Sequence, residues 1–134
     1  MDIDALFALA LKAAEASYSP YSRFRVGAAL LCADGRVFTG ANVENRSFGL
    51  TVCAERSAVS AAISAGVRDF AAIVVATPDA DYPVSPCGAC RQVLSEFLPP
   101  AAPVVFGSTA DDRQSTTMGK LFPSDALHEL KTRP

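Results

Sequence analysis

Charge of a single sign is what this sequence has least of. Its 134 residues carry 12 Lys and Arg against 14 Asp and Glu, a net charge of −2, with no basic run. A polynucleotide partner needs a basic footprint, because neutralising phosphates supplies most of the non-specific affinity. Nucleic-acid polymers are therefore excluded as partners. No apolar stretch reaches the roughly 20 residues that cross a bilayer, so no membrane role is expected. The opening Met1-Asp2-Ile3-Asp4 puts acid where a secretion signal carries basic residues. The expectation is a soluble cytoplasmic chain. Charged residues make up only 19% against 50% hydrophobic, which excludes wholesale disorder and leaves enough apolar material for a core. The length suits a single domain over residues 1–134.

What is there begins with four cysteines, Cys32, Cys53, Cys87 and Cys90. A chain of this size does not need disulfide staples, and in a reducing compartment such spacing points to metal binding or catalysis.

Hydrophobic periodicity sets the coarse organisation. Ile3, Leu6, Phe7, Ala10, Leu11 and Ala14 follow helical spacing, which predicts a helix over 2–17, capped by Asp2 or Asp4 and ended by Pro20. Two apolar runs, 26–32 and 36–43, flank Ala33-Asp34-Gly35, a hairpin signal. A helix over 51–65 stops at Gly66. Residues 71–77 read as a strand covered on both faces. A helix over 86–98 opens at Pro86 and closes before Pro99-Pro100. Val104-Val105-Phe106 forms a short strand, residues 115–118 a weaker one, and the tail from Ser124 a helix. This order predicts an α/β fold, a mixed sheet with helices on both faces.

Two stretches carry chemistry: Cys53-Ala54-Glu55-Arg56 and Pro86-Cys87-Gly88-Ala89-Cys90-Arg91. Cys87 and Cys90 are three apart, so at a helix start their sulfurs point to one side. Cys53 opens another helix, and thiolates at helix N-termini are favoured by the dipole and the free N–H groups. Three thiolates suit zinc, and the missing fourth protein ligand leaves a place for water. Glu55 lies two residues past Cys53, near that place but outside the ligand set.

A Cys-x-Glu followed by Pro-Cys-x-x-Cys resembles the signature of the zinc deaminases. The chain further resembles the small, homotetramer-type cytidine deaminases through Tyr21-Ser22-Arg23-Phe24, Val26-Gly27-Ala28-Ala29, Asn42-Val43-Glu44-Asn45 and Pro86-Cys87-Gly88-Ala89-Cys90-Arg91-Gln92. The resemblance implies a three-layer α/β/α sandwich and one zinc ion (Zn2+) per chain on Cys53, Cys87 and Cys90. It implies hydrolytic deamination of cytidine and deoxycytidine, with Glu55 as the catalytic proton shuttle. It also implies that Asn42 and Glu44 hold the ribose hydroxyls and that Phe24 lines the nucleoside pocket. The Ala54 backbone, with Glu55, would read the polar edge of the base. Three thiolates leave the metal site net negative, which opposes activation of water. The resemblance suggests that Arg56 draws charge from a ligand thiolate, with Arg91 assisting. A homo-oligomer, a tetramer by resemblance, is expected. Two departures stand out. Phe48 stands where many relatives have Tyr, and the tail from Leu121 is short, with Phe122 the remaining aromatic.

Plainer readings stand beside these. The cysteines suit a structural zinc module closed by Cys32 or by His128, the single histidine, although Cys32 reads better as a small buried residue of the first strand. A redox CxxC is another, though it would not call for Glu55. Glu55 suits a helix N-terminal carboxylate, and Asn42 and Glu44 suit a strand end. Phe24 and Phe48 fit a core. Arg23, Arg25 and Arg46 fit a solvated surface or a phosphate contact, which leaves nucleotides open as substrates. Within deaminase chemistry, a modified cytosine nucleoside or a cytosine-containing antibiotic is the alternative substrate.

Overall fold

The most continuously apolar segment of the chain lies at the centre of its sheet. A computed structural model describes residues 2–125. Five strands, β1 (Gly27–Cys32), β2 (Val37–Ala41), β3 (Phe70–Ala76), β4 (Pro103–Gly107) and β5 (Gln114–Thr117), are ordered β2-β1-β3-β4-β5. The β3–β4 pair is parallel and every other pair antiparallel. The hairpin turns at Gly35, whose φ of 92° lies in the region glycine tolerates. A parallel pair needs a crossover, and α3 (Gly88–Phe97) provides it.

Alternation along the strands sorts the core into two layers. Ala28, Leu30, Ile73, Val75, Val104 and Phe106 pack under α2 (Ala54–Ser64) and α3. Ala29, Val74, Ala76 and Val105 face Leu6, Phe7 and Ala10 of α1 (Ile3–Ala14). With both faces covered, β3 carries apolar side chains at every position, which explains its unbroken run. The three-layer sandwich expected from the sequence is the fold observed. Gly40 matters for the site. A Cβ there would lie 2.5 Å from Ala54 O and Ala58 N, so its absence lets the start of α2 rest directly on β2.

The element ends depart from the sequence reading where tertiary pairing competes with helical continuation. Helix α1 stops at Ala14, well before Pro20, because Tyr18 joins the Asn42–Glu44 segment. Tyr18 N donates to Asn42 O at 3.0 Å, and Glu44 N donates to Tyr18 O at 2.8 Å. Helix α2 starts at Ala54 and not near Thr51, because Val52 and Val43 exchange two backbone bonds of 2.9 Å. The residues before it form a 3₁₀ turn at Phe48–Leu50. Pro86 stands ahead of the N-cap of α3 instead of in its first turn. A one-turn helix, α4 (Met118–Leu121), follows β5 and has no counterpart in the sequence reading. Ser124 and Asp125 are not helical. The rest of the expected tail helix, His128 included, falls outside the described residues.

Candidate active site

The N-termini of α2 and α3 bring the cysteines together. Cys53 and Cys87 are the N-caps of the two helices, both extended, and Cys90 sits in the first turn of α3. The Cys53–Cys87 sulfurs are 3.7 Å apart and the Cys87–Cys90 sulfurs 3.4 Å, with all three ligand atoms within 4.8 Å of one another. A tetrahedral zinc with bonds of about 2.3 Å has sulfur–sulfur edges of about 3.8 Å. The donor set therefore fits zinc in both chemistry and spacing. Among the described residues no other His, Cys, Asp or Glu joins the cluster, so these supply three of the four ligands of a tetrahedral zinc. Cys32 is buried in the β1 core, away from it.

Protons in the cluster are unevenly held. Hydrogen bonding from Cys90, then from Arg56 and Cys87, outweighs burial and lowers the Cys53 thiol to about 5. The same contact with Cys53, with burial and the Glu55 carboxyl, pushes Cys90 up. A divalent cation would displace the remaining protons. Arg56 Nη2 lies 3.3 Å from Cys53 Sγ and 3.4 Å from Thr51 O, while its Nε is buried with no partner among the described residues. Arg91 departs from expectation. It donates to Pro86 O at 2.8 Å, Ser85 Oγ at 3.0 Å and Leu121 O at 3.1 Å. Its guanidinium therefore pins the loop before α3 to the end of α4 and does not serve a sulfur.

Glu55 is the second residue of α2 and only 4% exposed. Burial pushes its carboxyl up to about 7, and the nearby Cys53 thiolate adds to the rise. It lines a cavity of about 160 Å³ with Cys53, Cys87, Phe24, Asn42 and Thr51. Ala54 is fully buried and does not line the cavity, although its N–H, at the helix start, has no intrahelical acceptor. Thr77, which the sequence reading does not single out, also lines the cavity, and its buried hydroxyl finds no partner among the described residues. Its place follows from β3 alternation, two residues past Val75 on the same face.

Glu44 is not in this cavity. It lines an adjoining hollow of about 450 Å³ with Tyr21, Ser22, Phe48 and Thr51, and Thr51 borders both. Its carboxylate accepts from Tyr21 N at 3.0 Å, from Ser22 N at 3.1 Å and from the Ser22 hydroxyl. The Ser22 hydroxyl, against desolvation and with the support of those N–H groups, holds its pKa below the ordinary value. Asn42 is similarly occupied. Its Oδ1 accepts from Val26 N at 3.0 Å and from the Ser17 hydroxyl, and its Nδ2 donates to Phe24 O at 2.8 Å. Asn42 borders the cavity and Glu44 the adjoining hollow, and each keeps part of its capacity free: one amide N–H on Asn42 and one lone pair on Glu44. Phe48 is 73% exposed and meets Tyr21 edge-on, with ring centroids 5.7 Å apart. Arg23 and Arg25 line a separate surface hollow with Asp79, and Arg23, Arg25 and Arg46 are absent from the cavity wall.

A family model for the cytidine and deoxycytidylate deaminase zinc-binding region matches residues 1–107. The chain belongs to that family. A cytidine deaminase from Sporosarcina psychrophila is 49% identical over 92% of this chain and 90% of the relative. One from Halalkalibacterium halodurans is 51% identical over 92% of each. Among solved structures, cytidine deaminase from Burkholderia pseudomallei superposes with a TM-score of 0.89 at 47% identity, covering 93% of this chain and 99% of that one. Zinc binding, the family's defining feature, agrees with the three converging thiols.

Proposed function

We propose that the protein is a zinc-dependent hydrolase that converts cytidine and deoxycytidine, with water, into the corresponding uridine and ammonia, as one catalytic domain over residues 1–134. The observation that carries the reading is a buried carboxyl, Glu55, lining a cavity of about 160 Å³ with two of three converging thiols. Zinc, when bound, supplies the Lewis acidity that makes water a nucleophile near neutral pH. Glu55 takes the proton from the attacking water, delivers one to N3 of the ring and then assists protonation of the departing amine. Phe24 packs against the nucleoside, and the Ala54 N–H, with Glu55, meets the polar edge of the base. The free amide N–H of Asn42, on the cavity side, donates to one sugar hydroxyl, and the remaining lone pair of Glu44, in the adjoining hollow, accepts from another. Arg56 withdraws charge from Cys53, easing the net negative burden of three thiolates.

The same reading extends to assembly. Tyr18, Val43 and Val52 are linked by backbone bridges, Tyr21 meets Phe48, and Leu50 follows in the same 3₁₀ turn. All six are exposed. An apolar patch of this kind beside a pocket favours a second copy over solvent, and we assign a homotetramer in which these residues meet a neighbour. No helix among the described residues is long and apolar enough to cross a membrane, and a site built of free thiols suits the cytoplasm. The test is a substrate panel on zinc-loaded protein, following cytidine absorbance and ammonia, with light scattering and specific activity across a dilution series. Absence of turnover on cytidine refutes the activity, and a fully active monomer at micromolar concentration refutes the assembly.

A further inference from the structure

The loop that carries Phe24 belongs to no strand, yet each of its peptide N–H groups from Tyr21 to Val26 has an acceptor. Tyr21 and Ser22 donate to Glu44, Arg23 to Ser19 O at 2.9 Å, Phe24 to Ser22 Oγ at 3.0 Å, Arg25 to Asp79 and Val26 to Asn42. Asp79 is the outlier in this set. It lies 54 residues from Arg25, on the segment between β3 and α3 that also carries Val84, Ser85 and Cys87 of the cavity wall. Its Oδ2 accepts from Arg25 N at 2.8 Å and from Arg25 Nε at 3.0 Å, and its Oδ1 accepts from Nη2 at 2.8 Å.

The peptide group joining Phe24 to Arg25 is thus held at both ends. Its carbonyl oxygen takes the Asn42 amide, and its N–H is held by Asp79. A planar peptide fixed at O and at N cannot rotate, so the Phe24 ring is aimed from its C-terminal side. On the other side Arg23 sits at φ 57°, a left-handed conformation that a non-glycine residue adopts only when its neighbours enforce it. We propose that Asp79 is a positioning residue for substrate binding: it locks the Phe24–Arg25 peptide and joins the two walls of the cavity. The ion pair itself is partly in solvent, with side-chain exposures of 45% and 27%, and a pair of that kind contributes little alone. The contact that matters is the one to the peptide N–H.

That distinction gives the test, which rests on the nucleoside-deaminase reading for its kinetic arm. Asp79→Ala removes the acceptor of the peptide N–H, Asp79→Asn keeps an oxygen there, and Arg25→Ala removes the guanidinium but keeps the N–H. In the zinc-loaded protein, Asp79→Ala should raise KM for cytidine about tenfold with kcat within about twofold, while Asp79→Asn and Arg25→Ala each stay within about threefold in KM. Hydrogen–deuterium exchange of residues 18–27 should rise in Asp79→Ala and stay near wild type in Arg25→Ala. Equal effects of Asp79→Ala and Arg25→Ala, or an unchanged KM in Asp79→Ala, overturn the proposal. A wild-type protein inactive on cytidine overturns the functional reading instead, and the exchange data then still decide whether Asp79 holds the loop.

Discussion

Replacing Glu55 with glutamine separates fold and metal binding from chemistry. The side chain is buried, and glutamine has nearly the same volume, so the packing around α2 should survive. The metal ligands are untouched, and zinc content should remain one per chain. What is lost is a carboxyl able to accept and release protons. A single general acid–base contribution is on the order of 10²–10⁴ in rate, or about 3–5 kcal/mol of barrier. Glu55 is assigned several transfers in one cycle, so the loss in kcat should reach at least that range. Glu55→Asp keeps the acid but withdraws it by about 1.5 Å, the length of one methylene link. Misplacement of that size costs on the order of 10², so the aspartate variant should fall between glutamine and wild type. The assay is steady-state loss of cytidine absorbance, with metal analysis and a thermal melt on each variant. A folded, zinc-bound Glu55→Gln protein with wild-type turnover would refute the assignment of the proton shuttle.

Two more outcomes follow from the same geometry. Cys87→Ala should lose zinc, whereas Cys32→Ala, altered in the β1 core, should keep it and lose about 1 kcal/mol of stability; metal analysis showing the reverse contradicts the ligand set. Glu44 has its pKa lowered in the fold, so the order it confers is complete above its ordinary carboxylate value and is lost as pH falls through the lowered one. Acidification should therefore loosen residues 18–26 in wild type and leave Glu44→Ala, already loose and weaker for cytidine, without that step; amide exchange against pH reads this directly.

Much of the site is legible in the sequence, because its signals are local. Cys53-Ala54-Glu55 and Pro86-Cys87-Gly88-Ala89-Cys90 each sit at a helix start, where spacing alone sets which side a sulfur faces. The hairpin at Asp34-Gly35 and the buried strand around 71–77 are equally local, one a turn preference and the other an uninterrupted apolar run. Helix ends are less legible. Ala14 ends α1 because Tyr18 is drawn to the Asn42–Glu44 segment, and nothing within 2–17 encodes that pull.

The roles of polar side chains are the least legible. The family resemblance implies substrate contacts for Asn42 and Glu44, and only the folded chain shows that they hold the N–H groups of a loop earlier in the chain. Arg91 follows Cys90, which suggests a place beside a thiolate, yet three oxygens from Ser85, Pro86 and Leu121 capture it. Thr77 and Asp79 carry no motif at all. Caps, turns and periodicities depend on bonds between near neighbours, so the sequence by itself determines which segments are helical, which strand is central and which thiols share a side. A hydrogen-bond partner distant along the chain depends on how β1, β2 and β3 are laid side by side, and only the tertiary structure decides which acceptor a loop N–H or a guanidinium meets.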